Sequence, residues 1–220
     1  MEDFLVIRKL CYVIEESRYG IRYMDGSLSK DRIEGLIDDR VDEGSFRVDR
    51  SIYTDTDIFD TEMERIFENG WVYLCHESQI ADAGCYYATE IGRQPVVVIR
   101  QKEGSIAAFI NVCSHRGAIL TPKKMGKALT LTCRFHGWAY NCDGRCIRIK
   151  NEKEGFGEEN FERSQFNLKP IARLEVYRGF VFGSLTEDVE PIRDYLGAAA
   201  MWVDLMVEQS PQGLEVVPGR

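Results

Sequence analysis

Two short segments bring together residue types that bind transition metals. The chain has three histidines, and two of them follow a cysteine at a spacing of two or three residues. Cys113 precedes His115 in "NVCSHRGAIL", and Cys133 precedes His136 in "LTCRFHGWAY". Cysteine thiolate and neutral imidazole are both strong ligands for zinc and iron. If the two segments meet in the fold, they supply two sulfur and two nitrogen ligands.

Three interpretations of this ligand set compete. Structural zinc also takes two cysteines and two histidines, but zinc fingers usually draw like ligands from the same element. A disulfide between Cys113 and Cys133 would leave both histidines unexplained. In a Rieske [2Fe–2S] centre two cysteines bind one iron and two histidines bind the other. That centre explains one ligand of each type in each loop, so the spacing favours Cys113, His115, Cys133 and His136 as Rieske ligands.

The neighbouring residues indicate how such a centre would be tuned. Because imidazole carries no negative charge, Rieske potentials lie at roughly −150 to +300 mV, against about −400 mV for plant-type clusters. Gly117 and Gly137 either serve the turns alone or also let backbone N–H groups approach the cluster sulfides. Phe135 and Trp138 are expected to shield the cluster from water or simply to pack beside the turn.

The composition excludes several other classes of protein. The chain has 220 residues, of which 44% are hydrophobic and 29% charged, as is typical of a globular protein with a sizeable core. Its net charge of −8 argues against nucleic acid as the main partner. No apolar run approaches the roughly 18 residues of a membrane span, and "MEDFLVIRKL" does not resemble a secretory signal. Seven cysteines in such a chain predict a reducing, cytoplasmic location.

Positive charge is concentrated around the two Cys/His segments. Between residues 116 and 153 there are two acids, Asp143 and Glu152. The same stretch, called the basic island below, contains nine basic residues: Arg116, Lys123, Lys124, Lys127, Arg134, Arg145, Arg148, Lys150 and Lys153. It is either an ordinary solvated surface or a docking surface for an acidic partner. The sequence leaves this choice open.

The hydrophobic pattern predicts helical flanks around a β-rich centre. An amphipathic helix is expected over about residues 54–70, with Thr56 or Asp57 as its cap and Gly70 at its end. Its predicted apolar face consists of Ile58, Phe59, Met63, Ile66 and Phe67. A second helical run is predicted over residues 192–210. Hairpins are expected at three turns: residues 102–104, residues 142–144 and Gly179.

These elements predict the fold class and a division of the chain. The fold is expected to be mainly β, an antiparallel Rieske [2Fe–2S] β-sandwich with flanking helices, and both ligand loops would lie at hairpin tips. Residues 1–53 are predicted to be an N-terminal segment and residues 54–185 the Rieske domain with its leading helix. Residues 186–220 would form a helical segment after that domain.

The chain resembles the large (α) subunits of aromatic-ring-hydroxylating dioxygenases. The resemblance is carried by "CSHRGA" and "CRFHGWAY" and continues through "IFENGWVYLCHESQI", "IGRQPVVVIR", "YRGFVFGSL" and "QSPQGLEVVPG". It covers about residues 31–220 and is closest to the benzoate, toluate, anthranilate and salicylate branch, whose substrates are aromatic carboxylates.

The resemblance implies a cofactor set and several partners. It implies that electrons pass from NADH through a flavin and iron–sulfur reductase to the Rieske cluster. They would then cross to a mononuclear iron(II), held by two histidines and one carboxylate in a neighbouring α subunit, which cis-dihydroxylates the ring. A small β subunit, an α3β3 assembly and a catalytic domain, absent from this chain, into which the helix of residues 186–220 would lead are also implied.

The chain departs from this family where the mononuclear iron should be bound. That site needs two more histidines, and only His76 remains once the cluster ligands are assigned. His76 is expected to be structural. The chain is therefore expected to be either the N-terminal part of a longer subunit or a truncated product ending at Arg220. The first 30 or so residues lack family counterparts, and Met24 is an alternative start.

The sequence is also compatible with two other functions. The chain could be a stand-alone Rieske ferredoxin-like carrier, although its helical flanks argue against this, or a zinc-stabilised interaction module.

Cys142 and Cys146 are expected to be ordinary strand thiols, with a disulfide or a second metal as the alternative. Cys75 and Cys85 are expected to pack as small apolar residues. Cys11 carries no signal.

Overall fold

The computed structural model of the chain describes residues 29–156 and 161–217. Predictions about Cys11 and Met24 therefore lie outside the described residues. The chain divides into two compact units, Met1–Glu68 and Asn69–Arg220. The domain boundaries expected from the sequence, at residues 53/54 and 185/186, remain a prediction. Among the described residues, no helix is both long and apolar enough to cross a membrane.

The first unit combines a β-hairpin with short helices. Helix α1 (Lys30–Glu34) precedes strands β1 (Ile37–Arg40) and β2 (Ser45–Val48), which pair antiparallel. Helix α2 (Thr56–Glu62) continues into a π turn over Met63–Phe67. The buried side chains of Ile33, Ile52 and Ile58 form the hydrophobic core of this unit.

Helix α2 differs from its prediction at the cap and on the apolar face. Its N-cap is Asp55, not Thr56 or Asp57, because the Asp55 carboxylate accepts hydrogen bonds from the N–H groups of Asp57 (2.9 Å) and Ile58 (3.2 Å). Ile58 is buried as predicted. Phe59 is 51% exposed, so its assignment to the apolar face is wrong.

The second unit contains three antiparallel sheets. A four-stranded sheet has the order β6-β5-β4-β7, a three-stranded sheet has the order β10-β9-β8, and another has the order β11-β12-β3. The strands are β3 (Val72–His76), β4 (Cys85–Ile91), β5 (Gln94–Arg100), β6 (Ile106–Ile110), β7 (Met125–Lys127), β8 (Thr130–Thr132), β9 (Ala139–Asn141), β10 (Cys146–Arg148), β11 (Arg173–Tyr177) and β12 (Phe180–Ser184).

Strand β5 lies between two cores. Val97 and Ile99 contribute to a core shared with β8, β9 and β10, whereas Val96 and Val98 contribute to a core shared with β3 and β12. Side chains alternate between the two faces of a strand, so "VVVI" is buried on both sides. The four-stranded sheet therefore packs against a three-stranded sheet on each face, and the first of these cores underlies the two Cys/His loops.

The predicted mainly β, antiparallel fold is confirmed, and so are the hairpins. Strands β5 and β6, β9 and β10, and β11 and β12 pair antiparallel around the three expected turns. The run over residues 192–210 is not one helix. It forms α4 (Ile192–Leu196) and α5 (Ala199–Glu208), interrupted at Gly197, and the short α3 (Glu152–Phe156) was not predicted.

Candidate metal centre

The two Cys/His loops share one backbone frame. In the first, the Cys113 N–H donates to the Ala118 carbonyl (2.8 Å), and the Gly117 N–H donates to the Cys113 carbonyl (2.9 Å). The second loop repeats both hydrogen bonds from Cys133 onward, at 2.8 and 3.0 Å. The glycine of each loop has φ = 72°, in the left-handed region that glycine adopts readily. The loops are therefore equal in length and similar in backbone course.

The shared frame explains why the two sequence spacings differ. The first loop places histidine two residues after its cysteine and the second places it three residues after, yet both reach glycine at the fourth. The difference is therefore only which loop position carries the imidazole. The rings of His115 and His136 meet edge to face, with their centroids 4.7 Å apart and an interplanar angle of 75°.

The four predicted ligands form an inner and an outer pair. The thiols of Cys113 and Cys133 interact directly, and the two residues are only 2% and 3% exposed. His115 and His136 are half-buried and lie nearer the surface. Within residues 29–156 and 161–217, no three Cys, His, Asp or Glu side chains are grouped so that they could hold a single metal ion. Two sulfurs inside and two imidazoles outside match the donor set of a [2Fe–2S] cluster, which takes two protein ligands at each iron.

Comparison with known proteins identifies this part of the chain. Residues 70–175 match the family model described as the Rieske [2Fe-2S] domain. Residues 70–175 are therefore a Rieske domain. The predicted [2Fe–2S] cofactor class follows from that family, whereas the assignment of individual ligands remains a prediction.

Relatives of this Rieske domain are large subunits of dioxygenases. The chain is 44% identical to toluate 1,2-dioxygenase subunit alpha of Pseudomonas putida over 193 residues, which are 87% of this chain and 42% of the relative. It is 43% identical to anthranilate 1,2-dioxygenase large subunit of Acinetobacter baylyi, covering 86% of this chain and 40% of the relative. The chain therefore spans less than half the length of these relatives.

Comparison with solved structures also finds oxygenases. Naphthalene 1,2-dioxygenase from Rhodococcus sp., bound to indole, superposes with a TM-score of 0.73 at 34% identity. The superposition covers 78% of this chain and 39% of that one. A quaternary ammonium Rieske monooxygenase superposes with a TM-score of 0.64 at 30% identity, over 72% of this chain and 42% of the other.

Protonation in the Rieske domain follows the position of each ligand. Burial raises the pKa of the Cys113 thiol, and the hydrogen bond from Tyr140 partly offsets this effect. Iron bound by Cys113 would reverse this preference, because a coordinating thiol is deprotonated by the metal's own charge. Partial burial, with the neighbouring charges of His136 and Arg116, lowers the pKa of His115. The neutral imidazole that binds a metal is therefore favoured there.

Trp138 and Phe135 each contact one of the two histidines. The Trp138 indole stacks on His115 with centroids 4.8 Å apart and 12° between the planes, and the residue is 3% exposed. Phe166 packs edge-on against the same indole, with ring centroids 5.4 Å apart. Phe135 contacts His136, with ring centroids 4.5 Å apart, and is itself 71% exposed.

Tyr140 is a site residue that the sequence did not indicate. Its ring is fully buried in strand β9, and its hydroxyl lies 3.2 Å from the Cys113 sulfur. The Ser114 N–H donates to the same hydroxyl oxygen at 3.1 Å. Burial raises the pKa of Tyr140, so the hydroxyl keeps its proton and can donate a hydrogen bond to the sulfur.

We expect Tyr140→Phe to lower the midpoint potential of the iron-loaded protein. A hydrogen bond donated to a ligating sulfur stabilises the reduced, more negative state. One such bond contributes about 1 kcal/mol, which corresponds to about 40 mV for one electron. Redox titration followed by absorbance measures the shift. Tyr86→Phe is the matched control, because Tyr86 is buried in the same core. Equal potentials for Tyr140→Phe and Tyr86→Phe would contradict the assigned role.

His76 and the remaining cysteines lie outside the four-ligand group. His76 is 6% exposed, and its Nδ1 accepts the Ser78 N–H at 3.2 Å as the cap of a 3₁₀ turn. This is the structural role expected for it. All six cysteines in the described residues are free thiols, so no disulfide links Cys142 and Cys146. Burial raises the pKa of Cys75 to about 12, which fits its expected packing role.

Proposed function

We propose that this chain is the electron-transfer part of an aromatic-ring-hydroxylating dioxygenase large subunit. In this proposal Cys113 and Cys133 hold one iron of the Rieske cluster, and His115 and His136 hold the other. The observation that carries it is the pair of equivalent loops, which together present buried sulfurs and outer imidazoles. When bound, the cluster supplies one-electron transfer at a higher potential than an all-cysteine cluster.

The residues of the chain have distinct tasks in this function. Trp138 covers one face of His115 and excludes water from it, while Phe166 fixes the indole plane. Tyr140 keeps its proton and donates a hydrogen bond to the Cys113 sulfur. The outer position of His115 and His136 leaves a short path from the ligands to the protein surface. Electrons can therefore enter and leave without any opening of the core.

The wider reaction is proposed from the relatives. Toluate, anthranilate and 2-halobenzoate dioxygenases are among them, and these names share an aromatic carboxylate substrate. We propose an aromatic carboxylate as the substrate class, cis-dihydroxylated at a mononuclear iron(II) held elsewhere in the assembly. The proposed partners are an NADH-dependent flavin and iron–sulfur reductase, a small β subunit and further α subunits as α3β3. Residues 54–185 would serve as the Rieske domain between residues 1–53 and 186–220.

The proposed location is the cytoplasm. All six described cysteines are free thiols, which fits a reducing compartment. Two of these free thiols, both buried, are the proposed iron ligands.

Cluster reconstitution tests the proposed function. The full chain is loaded anaerobically with iron and sulfide, reduced with dithionite and examined by EPR. We expect a Rieske-type signal, because one unpaired electron is left on the reduced cluster. A zinc-loaded sample prepared in parallel is silent. Stoichiometric zinc binding combined with no signal from the iron-loaded sample would favour a structural zinc site instead.

A further inference from the structure

The second ligand loop is closed at its base by regular strand pairing. Strand β8 leads into this loop and β9 follows it. Their residues pair in three consecutive steps: Thr132 with Ala139, Leu131 with Tyr140, and Thr130 with Asn141. An antiparallel ladder of this kind fixes the two ends of a loop relative to each other. The backbone around Cys133 and His136 is therefore held by the β8–β9 hairpin.

The first ligand loop has only part of such a ladder. Val112 and Ile119 form an isolated antiparallel bridge, which corresponds to the first step of the other loop. At the next step the Leu120 N–H donates to the Asn111 carbonyl at 3.3 Å. The Asn111 N–H does not return this hydrogen bond, because it donates to the Pro95 carbonyl of β5 at 2.8 Å. Backbone pairing therefore closes this loop less completely.

The side chain of Asn111 supplies the missing closure. Its Oδ1 accepts hydrogen bonds from the Thr121 N–H (3.1 Å) and the Thr121 hydroxyl (3.0 Å), and its Nδ2 donates to the Thr121 carbonyl (3.3 Å). Asn111 and Thr121 are only 3% and 5% exposed. A carboxamide carries the same donor and acceptor as a peptide group, so it pairs with Thr121 as a neighbouring strand would. Pro122 follows and has no N–H with which to extend the ladder.

We infer that Asn111 is a positioning residue for the Rieske cluster, which holds the first ligand loop in register with the second. The inference rests on the proposed function, because it takes Cys113 and His115 as ligands. In that ligand set each iron receives one ligand from each loop. A displacement of the first loop would therefore disturb both irons at once, although Asn111 itself is not a ligand.

Loss of the Asn111 carboxamide should open the loop locally. The N–H and carbonyl of Thr121 would lose their partners in a buried place, which disfavours the closed loop. The backbone pairing between β5 and β6, which includes Val96 with Ile110, does not involve this side chain. The sheet beneath should therefore stay folded while the base of the loop opens more often.

Iron release to a chelator tests the effect on the cluster. Asn111→Leu keeps a similar side-chain volume and removes all three side-chain hydrogen bonds. We expect the iron-loaded full chain with this change to release iron to excess EDTA about tenfold faster than the wild type. Thr121→Val removes the hydroxyl hydrogen bond alone and should accelerate release about threefold. Thr121→Ser keeps the hydroxyl and should release iron at nearly the wild-type rate.

Asn141→Leu is the matched control. The Asn141 side chain also makes three hydrogen bonds, accepting from the N–H groups of Asp143 (3.1 Å) and Arg145 (2.8 Å) and donating to the Asp143 carboxylate (2.9 Å). These bonds close the β9–β10 turn and not a ligand loop. Asn141→Leu should therefore release iron at nearly the wild-type rate. If it released iron as fast as Asn111→Leu, general weakening would explain both variants and the inference would be overturned.

Thiol labelling of the iron-free full chain tests the loop without the cluster. After alkylation with iodoacetamide and digestion with trypsin, Cys113 and Cys133 lie in different peptides, residues 103–116 and 128–134. We expect Asn111→Leu to raise the labelling rate of Cys113 about tenfold and to leave that of Cys133 near its wild-type value, because one loop opens. A merely destabilised protein would label both thiols faster by the same factor, and that outcome would contradict the inference.

The proposed function and the inference fail differently. An iron-loaded wild-type chain without a Rieske EPR signal removes the proposed function, and the role of Asn111 at the cluster is removed with it. An intact wild-type signal, combined with equal iron release from the wild type and Asn111→Leu, removes the role of Asn111 and keeps the proposed function.

Discussion

A chain carrying His136→Cys loses the Rieske EPR signal after iron loading and reduction, and Cys113→Ala loses it as well. These are the largest effects that we expect. A Rieske cluster owes its properties to two neutral imidazoles on one iron, and a third thiolate adds negative charge to that iron. The His136→Cys potential should therefore move toward the roughly −400 mV of all-cysteine clusters. Loss of Cys113 would remove one of the two buried thiols that are proposed as ligands.

Matched variants separate ligation from general damage. His76→Cys makes the same chemical change at the histidine that caps a 3₁₀ turn, and it should keep the signal. Cys142→Ala removes a buried thiol that contacts the Leu129 carbonyl at 3.5 Å, and it should also keep the signal. Circular dichroism establishes that each variant is folded. An undiminished Rieske signal in either His136→Cys or Cys113→Ala would refute the ligand assignment.

Local features of this protein could be predicted from its sequence. The short spacing between cysteine and histidine indicated which side chains would lie together. A tight loop holds two residues that are a few positions apart close to one another. Turn chemistry gave the hairpins for a similar reason, since Asp143-Gly144 encodes a backbone conformation that few other pairs adopt. The equal length of the two ligand loops was also present in the sequence, as glycine four residues after each cysteine. It became meaningful only with the matching hydrogen bonds.

Contacts between distant segments could not be predicted in this way. Tyr140 reaches the sulfur of Cys113 across 27 positions of sequence, through the packing of β9 beneath the first loop. Trp138 belongs to the second loop but stacks on the histidine of the first. Neither contact has a local signature, because it depends on how two sheets pack. The prediction of the N-cap of α2 was wrong for another reason. Asp55, Thr56 and Asp57 are all residue types that can cap a helix, and only backbone geometry selects among them.

Gly144 has both a local requirement that the sequence indicates and a long-range requirement that only the fold shows. Its φ of 77° is the conformation that the predicted β9–β10 turn requires. A methyl group at this position would also lie 2.4 Å from a ring carbon of Phe109, which is 6% exposed in the core below the ligand loops. The first requirement follows from the Asp-Gly pair, whereas the second involves a residue of β6 and is visible only in the fold.

Gly144→Ala should therefore destabilise the protein more than the turn alone explains. Alanine at positive φ costs about 1 kcal/mol, and overpacking a core costs about 2 kcal/mol more. Gly104→Ala provides the comparison, because Gly104 has φ = 96° and nothing lies within 4 Å of an added methyl group. Urea unfolding of both variants in the same cluster-bound state should give losses of about 3 and about 1 kcal/mol respectively. Equal losses would mean that Phe109 moves aside freely. A larger loss at Gly144 would show that the core beneath the ligand loops is tightly packed, because a single methyl group cannot be accommodated there.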